Sequence, residues 1–188
     1  MREIEVKAKL RNTSTFMAEA TKHGINFGDV IEQDDITYVA DISHDDPSWN
    51  IFRIRKQNAQ IILTMKHTAS DRSRDNHEYE TTVDDENAVI KMLNRLGYER
   101  GVQIFKKRRI AHFDKIELCL DEIKNLGTFV EAELLADDTA DVDAIQNELW
   151  SLLTQLGVDE NDRVYKGYDT LMVQQLADDD NPRYRQFK

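Results

Sequence analysis

The sequence predicts an α+β fold in which about eight β-strands form a closed barrel, with charged side chains inside and helices packed outside. Three observations support this prediction. Most predicted strands alternate apolar and charged residues, and the charged residues recur as pairs two positions apart. Apolar rows such as Ile61, Leu63 and Met65 need helices to cover them. If the apolar faces point outward under helices, the charged faces must point inward.

The opening strand, residues 3–10, shows the alternation most clearly. Its apolar residues occupy even positions and its charged residues odd positions. Alone, such a strand is typical of a sheet with one solvated face. The recurrence of the pattern in later strands favours an enclosed, charged interior. The charged residues of this first strand are Glu3, Glu5, Lys7 and Lys9.

The first half of the chain continues with two helices and further strands. The helices begin after capping residues, Asn12 and either Asp84 or Asp85, and they end at Gly24 and Gly97. Turn-forming or polar residues separate the strands. The predicted strands are residues 25–41, 49–56, 60–67 and 77–81, with a turn at 43–48 and a polar connection at 68–76.

The second half repeats this organisation. A long strand or bent hairpin arm contains four consecutive bases, Lys106 to Arg109, and such a run fits either strand phase. Asp141 caps an amphipathic helix that ends at Gly157. A last helix within residues 165–176 packs on the barrel. The predicted strands of this half are residues 98–113, 115–121 and 128–134.

Composition bounds the class of protein. The 188 residues carry a net charge of −11, which disfavours binding to nucleic acid or to an anionic membrane. A single cysteine and the lack of a long apolar run or signal-peptide core indicate a soluble, cytoplasmic protein. We expect one domain, residues 1–176, followed by a loose, polar tail, residues 177–188.

The charged pairs suggest a ligand. Residues two apart on one strand face lie about 6.5–7 Å from each other, a spacing at which two carboxylates can share a metal ion. Buried charges must be neutralised by each other, by a metal or by a ligand. A polyphosphate with Mg²⁺ or Mn²⁺ satisfies both sets at once. The acids are Glu3, Glu5, Glu78, Glu80, Asp121, Glu131 and Glu133, and the bases are Lys7, Lys9, Arg53, Arg55, Lys66, Lys107 and Arg109.

In this order, the motifs resemble the CYTH superfamily, the triphosphate tunnel metalloenzymes. Glu3-Ile4-Glu5-Val6-Lys7 matches the ExExK signature of that family, and the resemblance extends to about residue 176. The succession of Leu120-Asp121 and the motif at residues 126–133 looks most like the class IV adenylyl cyclase branch. The other marks are Phe52-Arg53-Ile54-Arg55, Leu63-Thr64-Met65-Lys66, Glu78-Tyr79-Glu80, the strand of Lys107 and Arg109, Leu120-Asp121, and Leu126-Gly127-Thr128-Phe129-Val130-Glu131-Ala132-Glu133.

The resemblance implies an eight-stranded antiparallel tunnel and a role for each matching residue. Glu3, Glu5, Glu131 and Glu133 are expected to hold the metal, assisted by Glu78, Glu80 and Asp121. The bases named above are expected to bind the triphosphate, joined by Lys166, with catalytic roles at Lys7, Arg55 and Lys66. The sequence departs from the family at Asp35-Ile36-Thr37-Tyr38 and at Gly167-Tyr168.

The resemblance further implies an enzyme that acts on a small triphosphate, in a monomer or homodimer. One reading is an adenylyl cyclase, which converts ATP to 3′,5′-cyclic AMP and pyrophosphate. A second is a tripolyphosphatase or thiamine triphosphatase, and a third is a non-catalytic nucleotide or polyphosphate binder. The charged residues are common to all three, so the sequence leaves the reaction, the substrate and the base-recognition residues open.

Overall fold

A computed structural model describes residues 2–40, 50–68 and 75–184. It contains eight strands and four α-helices, so the predicted α+β class is confirmed. The predicted turn at 43–48 and most of the connection at 68–76 lie outside the described residues. The strands are β1 (Arg2–Lys9), β2 (Ile31–Val39), β3 (Asn50–Gln57), β4 (Gln60–Thr68), β5 (Asp75–Val83), β6 (Glu99–Phe113), β7 (Ile116–Ile123) and β8 (Gly127–Ala136). The helices are α1 (Thr13–Lys22), α2 (Glu86–Arg95), α3 (Val142–Gln155) and α4 (Tyr168–Asp178).

The strands form one antiparallel sheet in the order β1-β5-β4-β3-β2-β6-β7-β8. It curls into a half-barrel whose edge strands, β1 and β5, approach to 8 Å. Among the described residues, these two strands pair at two positions, Glu3 with Asn76 and Ile4 with Asp75. The closure predicted from the sequence is therefore observed at these positions, and no further pairing between β1 and β5 is seen in the described part of the seam.

The segment before α4 occupies part of this seam. The Val164 N–H donates to the carbonyl of Lys7, and Arg163 forms an isolated bridge with Ala8. Because β8 pairs with β1 along its whole length, this segment uses the other edge of β1. The chain thereby brings the start of α4 to the mouth of the half-barrel.

Side-chain caps start three helices where the sequence predicts them. Asn12, Asp85 and Asp141 each accept a hydrogen bond from a backbone N–H three residues later. Each satisfied donor stabilises the helix by about 1 kcal/mol. In α4 the N-cap is Gly167, which offers no side-chain cap.

Three helices cover the outer face of the sheet, as predicted. The main core lies between α1, α3 and the outward apolar rows of β1, β7 and β8, for example Val6, Leu118 and Val130. A smaller core lies between α2 and β3, around Ile54 and Leu93. Burial of these apolar rows supplies the main stabilising free energy of the fold.

The fourth helix, α4, packs differently. Its Tyr168 and Met172 lie in a cluster with Val102, Ile104 and other residues that share the inward strand phase. It therefore lies across one end of the half-barrel rather than on its outer face. Ordered packing also continues past residue 177, where we expected a loose tail. Ala177 and Tyr184 are buried in the same cluster. None of the four described helices is long and apolar enough to span a membrane.

Candidate functional site

The inward faces of the strands line a central cavity of about 280 Å³. This volume lies near the lower end of the range for ligand pockets, about 300–1,000 Å³. Among the described residues, its lining includes more carboxylates than bases, which favours a cation as part of the ligand. The charged lining residues are Glu3, Glu5, Lys7, Asp35, Arg53, Arg55, Lys66, Glu78, Glu80, Lys106, Arg108, Glu117, Glu131, Glu133 and Asp169.

A cluster of carboxylates lies on one wall of the cavity. Glu5 on β1 is directly opposite Glu133 on β8, and Glu3 follows two residues along the same face. Ligand oxygens of these three residues lie within 4.8 Å of one another. Such a set of hard oxygen donors fits Mg²⁺ or Mn²⁺. A second group of three, Glu117, Cys119 and Glu133, shares Glu133 with the first.

Like charges in this cluster perturb its proton affinity. Burial, followed by the neighbouring Glu78, raises the pKa of Glu3 to about 7. Burial and the nearby Glu131 and Glu3 raise the pKa of Glu133 well above its usual range. The carboxylates therefore resist simultaneous ionisation, and a divalent cation would offset that repulsion.

Ion pairs neutralise the carboxylates farther along β7 and β8. Arg108 donates to both oxygens of the fully buried Asp121, at 2.7 and 2.6 Å, and to Glu131 at 2.6 Å. Lys7 Nζ lies 2.6 Å from the other oxygen of Glu131. Burial alone would raise the pKa of Glu131, but Lys7 and Arg108 hold it well below the usual range. Asp121 and Glu131 are thus engaged by bases, apart from the cluster of Glu3, Glu5 and Glu133.

The opposite wall carries a second set of ion pairs. Arg55 donates to both oxygens of Asp35 at 2.7 and 2.9 Å. Lys66 Nζ lies 2.7 Å from Glu78. Arg53 donates to Thr64 at 3.2 Å and to Glu78 at 3.5 Å. Asp35, the first residue of the segment Asp35-Ile36-Thr37-Tyr38, therefore holds Arg55, one of the basic residues predicted to be catalytic, in place.

Lys106 is the most weakly neutralised of the buried cations described here. Its Nζ lies 3.8 Å from Asp35 and 4.0 Å from Asp121, and arginines already engage both carboxylates. Burial and the nearby Arg108 lower the pKa of Lys106 from 10.5 to about 8. This ammonium group is therefore well placed to meet an anion that enters the cavity.

Replacement of Lys106 by methionine is expected to stabilise the free protein by roughly 1–3 kcal/mol below about pH 8. The folded pKa lies below the unfolded value, so wild-type stability rises with pH between about 8 and 10.5. The variant lacks this rise, and the two stabilities should converge above pH 10.5. Urea unfolding across this range measures the difference, with Lys107→Met as the exposed control. A wild type that is more stable than Lys106→Met below pH 8 would contradict the assignment.

Tyr168 contributes an aromatic ring to the cavity wall. Lys7 Nζ lies 3.7 Å and Lys106 Nζ 5.6 Å from its ring centroid. Burial and the nearby Glu131 and Asp121 raise the pKa of Tyr168 well above its usual range. Its hydroxyl therefore remains a protonated donor.

Several predicted positions lie as expected, and others need correction. Lys7, Arg53, Arg55, Lys66 and all the predicted glutamates face the cavity. Lys107 is exposed, and Arg109 donates outward to the carbonyl of Gly28. The inward bases of β6 are Lys106 and Arg108, because the even positions of this strand continue the inward row of Val102 and Ile104. Lys9 and Lys166 are exposed and do not line the cavity, and Asp121 lies behind Arg108.

Comparison with known proteins agrees with this geometry. The pattern of the CYTH domain family matches residues 1–168. A Methanocaldococcus jannaschii protein named as a candidate adenylate cyclase is 26% identical over 170 residues, covering 89% of this chain and 97% of the relative. The Aeromonas hydrophila adenylate cyclase CyaB is 29% identical over 95 residues, half of each chain.

Solved structures share the fold. A Pyrococcus horikoshii protein superimposes with a TM-score of 0.74 and 26% identity, covering 88% of this chain and 96% of that structure. A Hippeastrum protein, described as a candidate adenylyl cyclase with a dominant triphosphatase activity, gives a TM-score of 0.58 at 17% identity. The match covers 92% of this chain and 94% of the plant protein.

Proposed function

This chain belongs to the CYTH domain family, and from that premise we propose that it is a metal-dependent adenylyl cyclase of the class IV type. The observation that carries the proposal is the meeting, in one cavity, of a carboxylate cluster and a set of buried bases. Glu3, Glu5 and Glu133 would hold Mg²⁺ or Mn²⁺. The bound ion would neutralise phosphate charge and polarise phosphate oxygens.

The bases supply the rest of the charge that a triphosphate requires. Lys106 has the longest distances to its carboxylate partners among the buried bases described here, and Arg53 and Lys66 line the same cavity. We retain Lys7, Arg55 and Lys66 as the basic residues proposed to act in catalysis. Among the residues proposed to bind the triphosphate, we replace Lys107 and Arg109 by Lys106 and Arg108. Phosphoryl transfer depends mainly on positioning and charge neutralisation, which fixed ion pairs provide.

In the proposed reaction, the ribose 3′-oxygen of ATP attacks the α-phosphorus. A new oxygen–phosphorus bond forms as the bond from the α-phosphorus to the bridging oxygen breaks. The hydroxyl proton passes to water, and pyrophosphate leaves with the bridging oxygen. The products are 3′,5′-cyclic AMP and pyrophosphate.

A second cavity favours a nucleotide over an inorganic triphosphate. It measures about 620 Å³ and shares Lys106 with the central cavity. Its lining includes the partly exposed Phe105 ring and the Gln33 amide, whose Oε1 has no hydrogen-bond partner among the described residues. An aromatic face and an amide suit a nucleobase.

We further propose that the barrel closes fully when the cation binds. Glu3, at a position where β1 pairs with β5, and Glu78 on β5 repel each other, as the raised pKa of Glu3 indicates. A cation near Glu3 would remove that repulsion and allow the two strands to approach.

The main alternative is a triphosphatase, in which water attacks the terminal phosphorus and orthophosphate leaves. The Hippeastrum relative, described as having a dominant triphosphatase activity, favours this alternative. A non-catalytic binder is less consistent with the chain, because Glu3, Glu5 and Glu133 are all present and close together.

The deciding experiment incubates the protein with ATP, tripolyphosphate or thiamine triphosphate, each with Mg²⁺ or Mn²⁺. We expect cyclic AMP and pyrophosphate in equal amounts from ATP, and no product when EDTA is present. Release of orthophosphate without cyclic AMP would show that the protein is a triphosphatase and not a cyclase. Binding of these compounds without any turnover would identify a non-catalytic binder.

A further inference from the structure

The hydroxyl of Tyr168 is a buried polar group without a structural partner. Tyr168 is the first residue of α4, is 9% exposed and lines the central cavity. Among the described residues, its hydroxyl oxygen is fully buried and has no hydrogen bond. A buried, unpaired hydroxyl destabilises a folded protein, so its presence here calls for a ligand.

The ring of Tyr168 is held in place without help from the hydroxyl. It packs edge-on against Phe129, with ring centroids 5.3 Å apart, inside the cluster formed by α4. The ammonium groups of Lys7 and Lys106 lie over the ring. A phenylalanine would make all of these contacts and would bury no unpaired polar atom. Packing therefore explains the ring but not the hydroxyl.

The surroundings of the Tyr168 side chain indicate which ligand its hydroxyl would contact. Lys7 and Lys106 lie on the same stretch of the cavity wall, so an anion drawn to these bases arrives beside the tyrosine. Glu131 and Asp121 also lie near the hydroxyl, and their charges are offset by ion pairs with Lys7 and Arg108. A neutral O–H donor on a wall that carries these bases complements a phosphate oxygen, since it adds a hydrogen bond without adding charge.

We propose that Tyr168 is a substrate-binding residue whose hydroxyl donates a hydrogen bond to a phosphate oxygen of the bound triphosphate. The assignment rests on the proposed function, since it requires a triphosphate in the central cavity. It gives α4 a direct part in binding, because the helix that closes one end of the half-barrel also supplies a ligand contact.

The test compares Tyr168→Phe with Tyr184→Phe. Tyr184 is buried in the same cluster, but its hydroxyl is paired with the carbonyl of Gly101 and does not line the central cavity. Calorimetric titration with tripolyphosphate and Mn²⁺ measures affinity, and thermal unfolding of the free protein measures stability. Both variants keep the ring, so both are expected to fold.

For Tyr168→Phe we expect affinity for tripolyphosphate to fall by about 10-fold or more, while the free protein is as stable as the wild type or more so. For Tyr184→Phe we expect unchanged affinity. This combination separates a ligand contact from a structural role, which would lower stability. Wild-type affinity in Tyr168→Phe would overturn the assignment and leave the proposed function standing. A loss of stability that accompanies the loss of affinity would also overturn it. If the wild type binds neither tripolyphosphate nor ATP in the presence of Mn²⁺, the proposed function fails and the assignment fails with it.

Discussion

Replacement of Glu133 by glutamine is expected to lower turnover of the triphosphate substrate at least about 100-fold, because changes in the outer shell of metal sites alone cost up to about that much. Glu133 belongs to both groups of closely spaced ligand atoms, so its loss weakens each of them. The amide keeps the size of the side chain but removes the charge that a divalent cation needs. Initial rates at increasing Mn²⁺ concentration measure the effect, which should persist at saturating substrate.

The same variant should not be less stable than the wild type in the absence of metal. The raised pKa of Glu133 means that its ionised form is disfavoured in the folded protein. A carboxyl group whose pKa is higher in the folded than in the unfolded protein lowers the free energy of unfolding at pH values above the unfolded pKa. Glutamine does not ionise, so the variant lacks this cost. Glu148→Gln, an exposed change on α3, is the matched control and should leave turnover unchanged. A Glu133→Gln enzyme with wild-type activity would remove Glu133 from the proposed metal site.

Replacement of Arg108 by methionine is expected to destabilise the protein by about 3–5 kcal/mol, the usual effect of removing one partner from a buried ion pair. Among the described residues, the variant would leave Asp121 paired with Lys106, at 4.0 Å, and Glu131 paired with Lys7. Both carboxylates are buried, so neither gains solvation in exchange. Chemical denaturation at neutral pH measures the loss.

The neighbouring Arg109→Met is the control for this experiment. Arg109 faces outward and donates to the carbonyl of Gly28, so its loss should cost about 1 kcal/mol or less. A larger effect at Arg109 than at Arg108 would reverse the strand phase assigned to β6. The double variant Arg108→Met with Asp121→Asn should recover part of the lost stability, because it removes one of the buried carboxylates that have lost their arginine partner.

Strict alternation made most of the site predictable. In residues 3–9 of β1 each odd position is charged and each even position apolar, so the inward face of Glu3, Glu5 and Lys7 follows from the sequence once the strand is recognised. The pairs Arg53 with Arg55 and Glu78 with Glu80 follow in the same way. In β1 and β3 the alternation is clear because a core cluster covers the outer face and the central cavity borders the inner one.

The same rule fails on β6 for a physical reason. Its inward row begins with Val102 and Ile104, which are apolar because α4 packs against them at the end of the half-barrel. The row becomes charged only at Lys106, which lies in a run of four basic residues. Because these four residues do not alternate with apolar ones, the run does not indicate which of them face inward. The position of α4 depends on contacts between residues far apart in sequence, so local pattern alone did not reveal it. The partner of Arg55, Asp35, and the contact of Tyr168 with Lys7 depend on such distant contacts too.

The short pairing between β1 and β5 has a consequence for the behaviour of the protein in solution. Beyond Glu3 and Ile4, backbone donors and acceptors along this seam lack a full strand partner among the described residues, and such an edge is a template for aggregation. Glu78 and Glu80 point inward along β5, and inward charges are a known protection against edge-to-edge pairing. The carboxylates that prepare the cavity for a cation therefore also help to keep separate copies of the chain from joining their sheets.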